Sequence, residues 1–389
     1  MVVGADGSDR RLLDLARLPR ARESDVTPLT ELLIRRIRLG GPITVAEYMA
    51  EALGHPRHGY YRRADPFGLA GDFVTSPEIS QMFGELLGAW CADIWSKMGP
   101  PDPVRLIEYG PGRGTLMADA LRATSRATGF HPALDLHFIE TSPLLRQLQA
   151  EAIAAAKLAL APAHWHDGLE TVPDGPLILL TNELFDALPI HQFQSRGRRW
   201  HERVVGLNQP GDGLAFGLRA PGPQLALVRH NAALLPEGTI VEVCPAGIAI
   251  ADRIARRIAA HGGAALIIDY GQDGGGTGES LQAVRRHGKH DPLDEPGSAD
   301  LSAHVDFGML GEAARQAGAM THGPIPQNLL LERLGIRIRA DALMKAATAA
   351  QAADISASLE RLLHLEQMGT LFKALAITAP DLPTPAGFE

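Results

Sequence analysis

Apolar residues recur first at helical spacing and then in short strand-like runs, and the change of period divides the chain. From Pro28 to about Met98 they fall every three or four positions, in TELLIRRIRL, TVAEYMAEAL and EISQMFGELLGAWCADIW, which predicts helices. A polar, glycine-bearing stretch, GHPRHGYYRRADPFGLAGDFVTSPE, interrupts them, and Tyr60, Tyr61 and Phe73 predict that it packs against the rest. From residue 104 the period alternates: VRLIEY, TLMADALRATSRA, LDLHFIE, SPLLRQLQAEAIAAAKLA, a short strand near APAHWH, then the apolar run PLILLTN. Apolar strands in β-α-β-α order predict an α/β fold, a mostly parallel sheet with helices on both faces. Residues 191–243 change character. RRWHERVVGL, LAFGLR and TIVEV, separated by GDG and PGP turns, predict antiparallel strands inserted into that core. The core resumes with IAIADRIARRIAAHG and AALIIDYG, and a last strand, TLFKALAIT, follows C-terminal helices. The expected division is a loose tail at 1–26, a helical region at 27–100 and the first part of the core at 101–190. The β insertion at 191–243 and the rest of the core at 244–389 complete it, with 272–303 as a mobile substrate-side loop.

Composition narrows the function. The 389 residues are 45% hydrophobic, enough for a sizeable core. A formal charge of −8 argues against nucleic acid as the main partner. Cys91 and Cys244 are far apart and lack metal-ligand spacing, so two unpaired, buried thiols in a reducing compartment are expected, and no metal. No apolar run reaches membrane-helix length, so no membrane insertion is expected. The first 25 residues mix arginines with acids and have no apolar segment, unlike a secretion signal or an acid-poor transit peptide. These features together predict a cytoplasmic protein.

The candidate chemistry begins at EYGPGRGT. Gly110, Gly112 and Gly114 are spaced G-x-G-x-G, and Thr115 stands where a dinucleotide-binding turn carries its third glycine. No Gly-Lys-Ser/Thr follows, which excludes a P-loop. Glu108, two places before the first glycine, would repel a pyrophosphate but suits a cationic ligand. S-adenosylmethionine carries a sulfonium and an ammonium and no phosphate, and the pattern resembles motif I of class I methyltransferases. Glu140 ends the second strand, where a carboxylate can hold both ribose hydroxyls. Trp165, His166 and Asp167 end the third, where Asp167 could accept from an adenine amino group, though a plain loop acid fits as well.

The fourth strand ends in TNELFDALP. Asn182 can accept from a target N–H, and Glu183 and Asp186 add two carboxylates suited to a planar guanidinium. The same letters also fit a capped helix start. In GDFVTSPEIS, Thr75 or Ser76 would cap a helix with Glu78 in its first turn. DYG (269–271) and DLSAHVDF (300–307) place further polar residues at a strand end and a loop end.

GDFVTSPEIS, EYGPGRGTL, NELFDALP, EVCP (242–245), DYG and HDPLDEPGSADLSAHVDF, in this order, resemble the MidA-like methyltransferases from about residue 30 onward. That family includes the mitochondrial complex I assembly factor that methylates an arginine. The resemblance implies a class I methyltransferase fold with an added helical region and a substrate-side insertion. It implies S-adenosylmethionine as donor, S-adenosylhomocysteine as product, and symmetric dimethylation of an arginine on the 49-kDa-type subunit of respiratory complex I or its bacterial equivalent. Donor binding would fall on Thr75, Ser76, Pro77, Glu108, Gly110, Pro111, Gly112, Gly114, Glu140, Thr141, His166, Asp167 and Asn182. Asn182, Glu183 and Asp186 would face the acceptor. Two rival readings remain, a donor-binding assembly chaperone that transfers nothing and a small-molecule methyltransferase. The insertion and the long loop favour a protein-sized acceptor, and the oligomeric state is left open, with a dimer among the options.

Overall fold

The computed structural model describes residues 27–63 and 75–389, so the expected tail at 1–26 and the GDF of 71–73 lie outside the described residues. Helix α1 (Pro28–Gly40) starts where the Thr27 hydroxyl accepts the Thr30 N–H and Pro28 occupies the first turn. A two-residue strand, β1 (Ile43–Thr44), leads into α2 (Val45–Gly54), whose Thr44 and Glu47 form a capping box. Two short helices, α3 (Tyr60–Arg63) and α4 (Ser76–Ile79), precede α5 (Gln81–Lys97). Thr75 is the N-cap of α4 but its side chain makes no capping bond; Ser80 caps α5 through the Met82 N–H.

The α/β core then runs β2 (Val104–Tyr109), α6 (Thr115–Thr124), α7 (Phe130–Ala133), β3 (Leu134–Ile139), α8 (Pro143–Ala155), β4 (His164–His166) and β5 (Leu177–Asn182). The insertion supplies β6 (His191–Arg196), β7 (Arg199–Leu207), β8 (Leu214–Arg219) and β9 (Ile240–Val243). Helix α9 (Pro245–His261) returns the chain to the core strand β10 (Gly263–Gln272). After it come β11 (Gln282–Arg285), β12 (Gly288–His290), β13 (Asp300–Ser302), β14 (Val305–Asp306) and α10 (Phe307–Gln316). The chain ends with β15 (Met320–Pro326), α11 (Gln327–Arg333), α12 (Ile336–Met344), α13 (Ala349–Leu363) and β16 (Phe372–Thr378).

The main sheet has the order β15-β16-β10-β5-β2-β3-β4, with β14 added beside β10. The five strands from β10 to β4 are parallel, and β15 and β16 close the other side antiparallel. Because side chains alternate along a strand, one sequence serves both faces. Ile178 and Leu180 of β5 join Leu266 and Ile268 of β10 against Phe83, Trp90 and Leu121 on one side. Leu177 and Leu179 join Ala265 and Ile267 against Ile254, Ile258 and Leu310 on the other. In this register the carboxyl ends of β2, β3, β5 and β10 emerge along one edge, with Tyr109 opposite Ile139 and Asn182 opposite Ile268. Crevices at such an edge are where open α/β sheets hold ligands.

One link is added and one local expectation changes. β1 pairs with β7, placing Ile43 opposite Val205 and tying the N-terminal helices to the insertion. Residues 272–303 are not one bare loop, since β11, β12 and β13 make a small antiparallel sheet whose Ala283 and Leu301 are buried beside Tyr48 and Met49. Cys91 is buried, Cys244 is half-buried, and neither is paired.

Candidate functional site

The glycine turn starts as β2 ends. The Gly110 N–H donates to the Ile139 carbonyl (3.1 Å), and Gly110, Gly112 and Gly114 have φ of +71°, +52° and +81°. A side chain is disfavoured at all three, which is why glycine repeats there. A Cβ on Gly110 would also lie 2.8 Å from Leu184 Cδ1. Gly114 serves a different purpose: it is the N-cap of α6, and a Cβ there would press on Gln149 at 3.1 Å. Gln149 is fully buried, donates to the Gly112 carbonyl (2.7 Å) and accepts from the Trp165 indole (2.9 Å). Sequence reasoning missed it, because one glutamine within a helical run carries no signal.

Glu108 is 3% exposed, and its Oε2 has no hydrogen-bond partner among the described residues. Burial pushes this carboxyl up to about 8, against the opposing Met117 N–H. It lines a small cavity of about 40 Å³ with Thr75, Pro77, Glu78, Gly110, Pro111, Gly112, Arg113, Asn182 and Glu183. A larger cavity of about 360 Å³ lies next to it, over Gly110, Gly112, Glu140, Thr141 and Asp167. Met49, Leu53, Tyr61 and Arg62 from α2 and α3 cover that cavity, and the Arg62 guanidinium donates to the Thr141 carbonyl (2.6 Å). The two cavities share Gly110, Gly112 and Glu183.

At the end of β3, Glu140 Oε1 accepts the Ser142 N–H (2.6 Å). Burial raises this carboxyl, while the Ser142 and Thr141 N–H groups and Gln149 pull it back. Asp167 borders the large cavity but is exposed and paired with Arg146 (2.6 Å). Some expected positions stand back from both cavities. His166 shares its ring nitrogens with His137 (3.0 Å) and Thr171 (2.9 Å), engaged there by the β3–β4 edge. Gly114 lies behind the turn, and Ser76 lines neither cavity although its Oγ is buried without a partner among the described residues.

The tip after β5 brings the acidic residues together. Glu183 has φ +51°; its N–H donates to the Ile268 carbonyl (3.0 Å), and its carboxylate accepts from the Ser76 N–H and from Asn182 Nδ2, both at 3.0 Å. Burial pushes it up to about 7, and Asp186 adds to the rise. Asn182 Oδ1 has no partner among the described residues and lines the small cavity. Asp186 borders neither cavity; it is buried, pushed up by that burial to about 6, and its Oδ1 has no hydrogen-bond partner among the described residues. Asp269, from the DYG at the end of β10, is fully buried beside them. The helix-cap alternative fails in part here: Asp269, not Asn182, caps the turn, accepting the N–H groups of Leu184, Phe185 and Asp186.

Among the described residues no group of histidines, cysteines and carboxylates could hold a metal ion, and no helix is long and apolar enough to cross a membrane.

Comparison with known proteins identifies the family. A family described as "Putative S-adenosyl-L-methionine-dependent methyltransferase" matches residues 86–325. The protein arginine methyltransferase NDUFAF7, mitochondrial, of Mus musculus is 39% identical, over 92% of this chain and 86% of its own length. Its Homo sapiens counterpart is 38% identical over 91% of this chain and 84% of its own. The crystal structure of a Burkholderia thailandensis protein bound to S-adenosyl-homocysteine is similar with a TM-score of 0.77, at 27% identity and 92% coverage of both chains. The relatives are mitochondrial, which overturns the expectation of a cytoplasmic protein. Acidic charge and unpaired cysteines suit any reducing compartment, so composition carried no address. By matched family model, by identity to these relatives and by fold, the chain belongs to the S-adenosylmethionine-dependent methyltransferases.

Proposed function

We propose that this methyltransferase acts on an arginine of a protein, and that its acceptor is the 49-kDa-type subunit of respiratory complex I during assembly, carried to the symmetric dimethyl product. One observation supports the arginine reading above the others: Glu183, half-buried, lines both donor cavities, and behind it lies the buried carboxyl of Asp186, whose Oδ1 has no partner among the described residues. Two carboxyls so close together favour a cation beside them, and a guanidinium is planar and permanently charged. The relatives named as protein arginine methyltransferases support the same choice.

In this reading the donor's adenosine lies in the large cavity and its amino acid end in the small one. Gly110 and Gly112 allow close backbone approach, Glu140 takes the ribose hydroxyls, and Glu108 offers its unpartnered oxygen to the ammonium. The donor supplies an electrophilic methyl group. Glu183, which lines both cavities, and Asn182, which lines the small one, orient the acceptor nitrogen; its lone pair forms the new N–C bond as the S–CH3 bond breaks and S-adenosylhomocysteine leaves, and the nitrogen then gives up one proton to a neighbouring carboxylate. In this reading the choice of acceptor lies in the β insertion rather than in the donor-binding motifs.

The test is intact mass of the candidate subunit co-expressed with and without this protein, followed by fragmentation to locate the added mass. A gain of two methyl groups on one arginine is expected. A methylated lysine or an unmodified subunit overturns the reading.

A further inference from the structure

We infer that Asp269 is a positioning residue for methyl transfer: it holds the backbone turn that aims Glu183 and Asp186, while touching neither donor nor acceptor. The inference rests on the arginine reading for its kinetic consequence, but not for its structural content.

The geometry is specific. One oxygen, Oδ2, accepts three consecutive backbone N–H groups, from Leu184 (3.1 Å), Phe185 (2.9 Å) and Asp186 (3.3 Å). The other, Oδ1, accepts the N–H of Tyr270 (2.8 Å). Converging N–H groups of this kind make a small nest, and here the acceptor that fills it is built into the chain. It is also needed. Glu183 has φ +51°, a region that a residue with a Cβ keeps only where its surroundings impose it. The surroundings that impose it are the end of β10: the Ile268 carbonyl takes the Glu183 N–H, and Asp269 takes the next three. From the opposite side the Ala303 N–H donates to the Asp186 carbonyl (2.9 Å), so both ends of the turn are fixed.

Stability alone does not explain a carboxylate here. Asp269 is fully buried, and burial together with Asp186 and Glu183 pushes it well above the usual carboxylate range. Placing a third acid against two others is costly to the fold, and a neutral polar residue would avoid that cost. What a neutral amide cannot match is two acceptor oxygens, one for the three N–H groups of the turn and one for the Tyr270 N–H. Asp269 borders neither cavity, so its effect must pass through the turn.

Full-length Asp269→Ala and Asp269→Asn decide the matter, with three measurements on each: amide hydrogen exchange at 184–186, calorimetric affinity for S-adenosylhomocysteine, and kcat on the acceptor subunit. For Asp269→Ala we expect faster exchange at 184–186, product affinity within about twofold of wild type, and kcat lower by about thirtyfold or more, the scale of a displaced reacting group. Asp269→Asn keeps one acceptor oxygen and should recover about tenfold of that loss. Wild-type exchange at 184–186 in Asp269→Ala overturns the inference, as does an unchanged kcat, an asparagine variant no better than alanine, or a loss of donor affinity parallel to kcat. Should Asp269→Ala fail to fold, Asp269→Asn decides: faster exchange with a lowered kcat supports the role, and wild-type values for both overturn it. A wild-type protein that methylates no arginine sinks the arginine reading alone, and the exchange measurement still decides for or against Asp269.

Discussion

The glycine turn and the acidic tip cap neighbouring parallel strands, β2 and β5, yet they are built in opposite ways. The turn is local. Its shape comes from three glycines within five positions, and its supports, Glu140 and Gln149, follow within the next βα unit. The tip is assembled from afar. Glu183 is held by the Ser76 N–H, 107 positions earlier, and the three residues after it by Asp269, 83 to 85 positions later. The electrostatics differ in the same sense. The turn buries one carboxyl, Glu108, whereas the tip gathers Glu183, Asp186 and Asp269. Under the proposed assignment, a site for a common donor is written into a short stretch, while a site that orients a reacting nitrogen calls on the whole sheet edge.

If the two regions have separate tasks, the tip should be breakable without touching the donor. Glu183→Gln keeps size and most hydrogen bonding but removes the charge. Methyl transfer should fall at least about a hundredfold, ~2.7 kcal/mol, with donor affinity nearly unchanged. Intact mass of the acceptor and titration calorimetry on the same variant check both halves; full methylation would refute the assignment. The converse change is Glu140→Ala. It should weaken donor binding by about 1.5–3 kcal/mol while leaving kcat at saturating donor close to wild type. Unchanged affinity in calorimetry would remove Glu140 from the donor side.

pH sharpens the contrast further. Holding a cation requires ionised carboxylates, and Glu183 is pushed up to about 7 and Asp186 to about 6. Transfer under saturating donor should therefore fall about tenfold from pH 8 to pH 6 as these groups take up protons. A flat profile over that range would show that neither ionisation matters to the reaction.

The smallest effect concerns Glu108. Its carboxyl is raised from 4.5 to about 8 in the fold, so the folded state holds the proton more tightly than the unfolded chain. That contribution to stability is complete below the unfolded value and is lost as pH rises through about 8. Glu108→Gln should thus raise the melting temperature of the donor-free protein by a few degrees at pH 8 and leave it nearly unchanged at pH 4, below the unfolded value. It should also weaken donor binding. An equal shift at both pH values would mean that Glu108 is not the titrating group.

The contrast also governs what could be read from the letters alone. The spacing at 108–115 identified its ligand class because every requirement is carried by adjacent residues: positive φ by glycine, charge by Glu108, helix entry by Thr115. At the tip the residue types were readable and their arrangement was not. Asp186 looked like an equal partner of Glu183, but it lies beyond both cavities, and DYG showed only polar residues at a strand end. The segment at 272–303 looked like a loop because its strands are three or four residues long, too short to show a period. The pairing of β1 with β7 was invisible for the same reason.

The sequence by itself determined the parallel core, the antiparallel character of the insertion and the glycine turn, because hydrophobic period and glycine placement act over a few residues. Only the tertiary structure decided which carboxyls meet, which of them face a cavity, and which one holds the turn. Those outcomes depend on the register of β5 against β10 and on α4 reaching the same edge, and a hydrogen bond between residues a hundred positions apart leaves no mark in the local pattern.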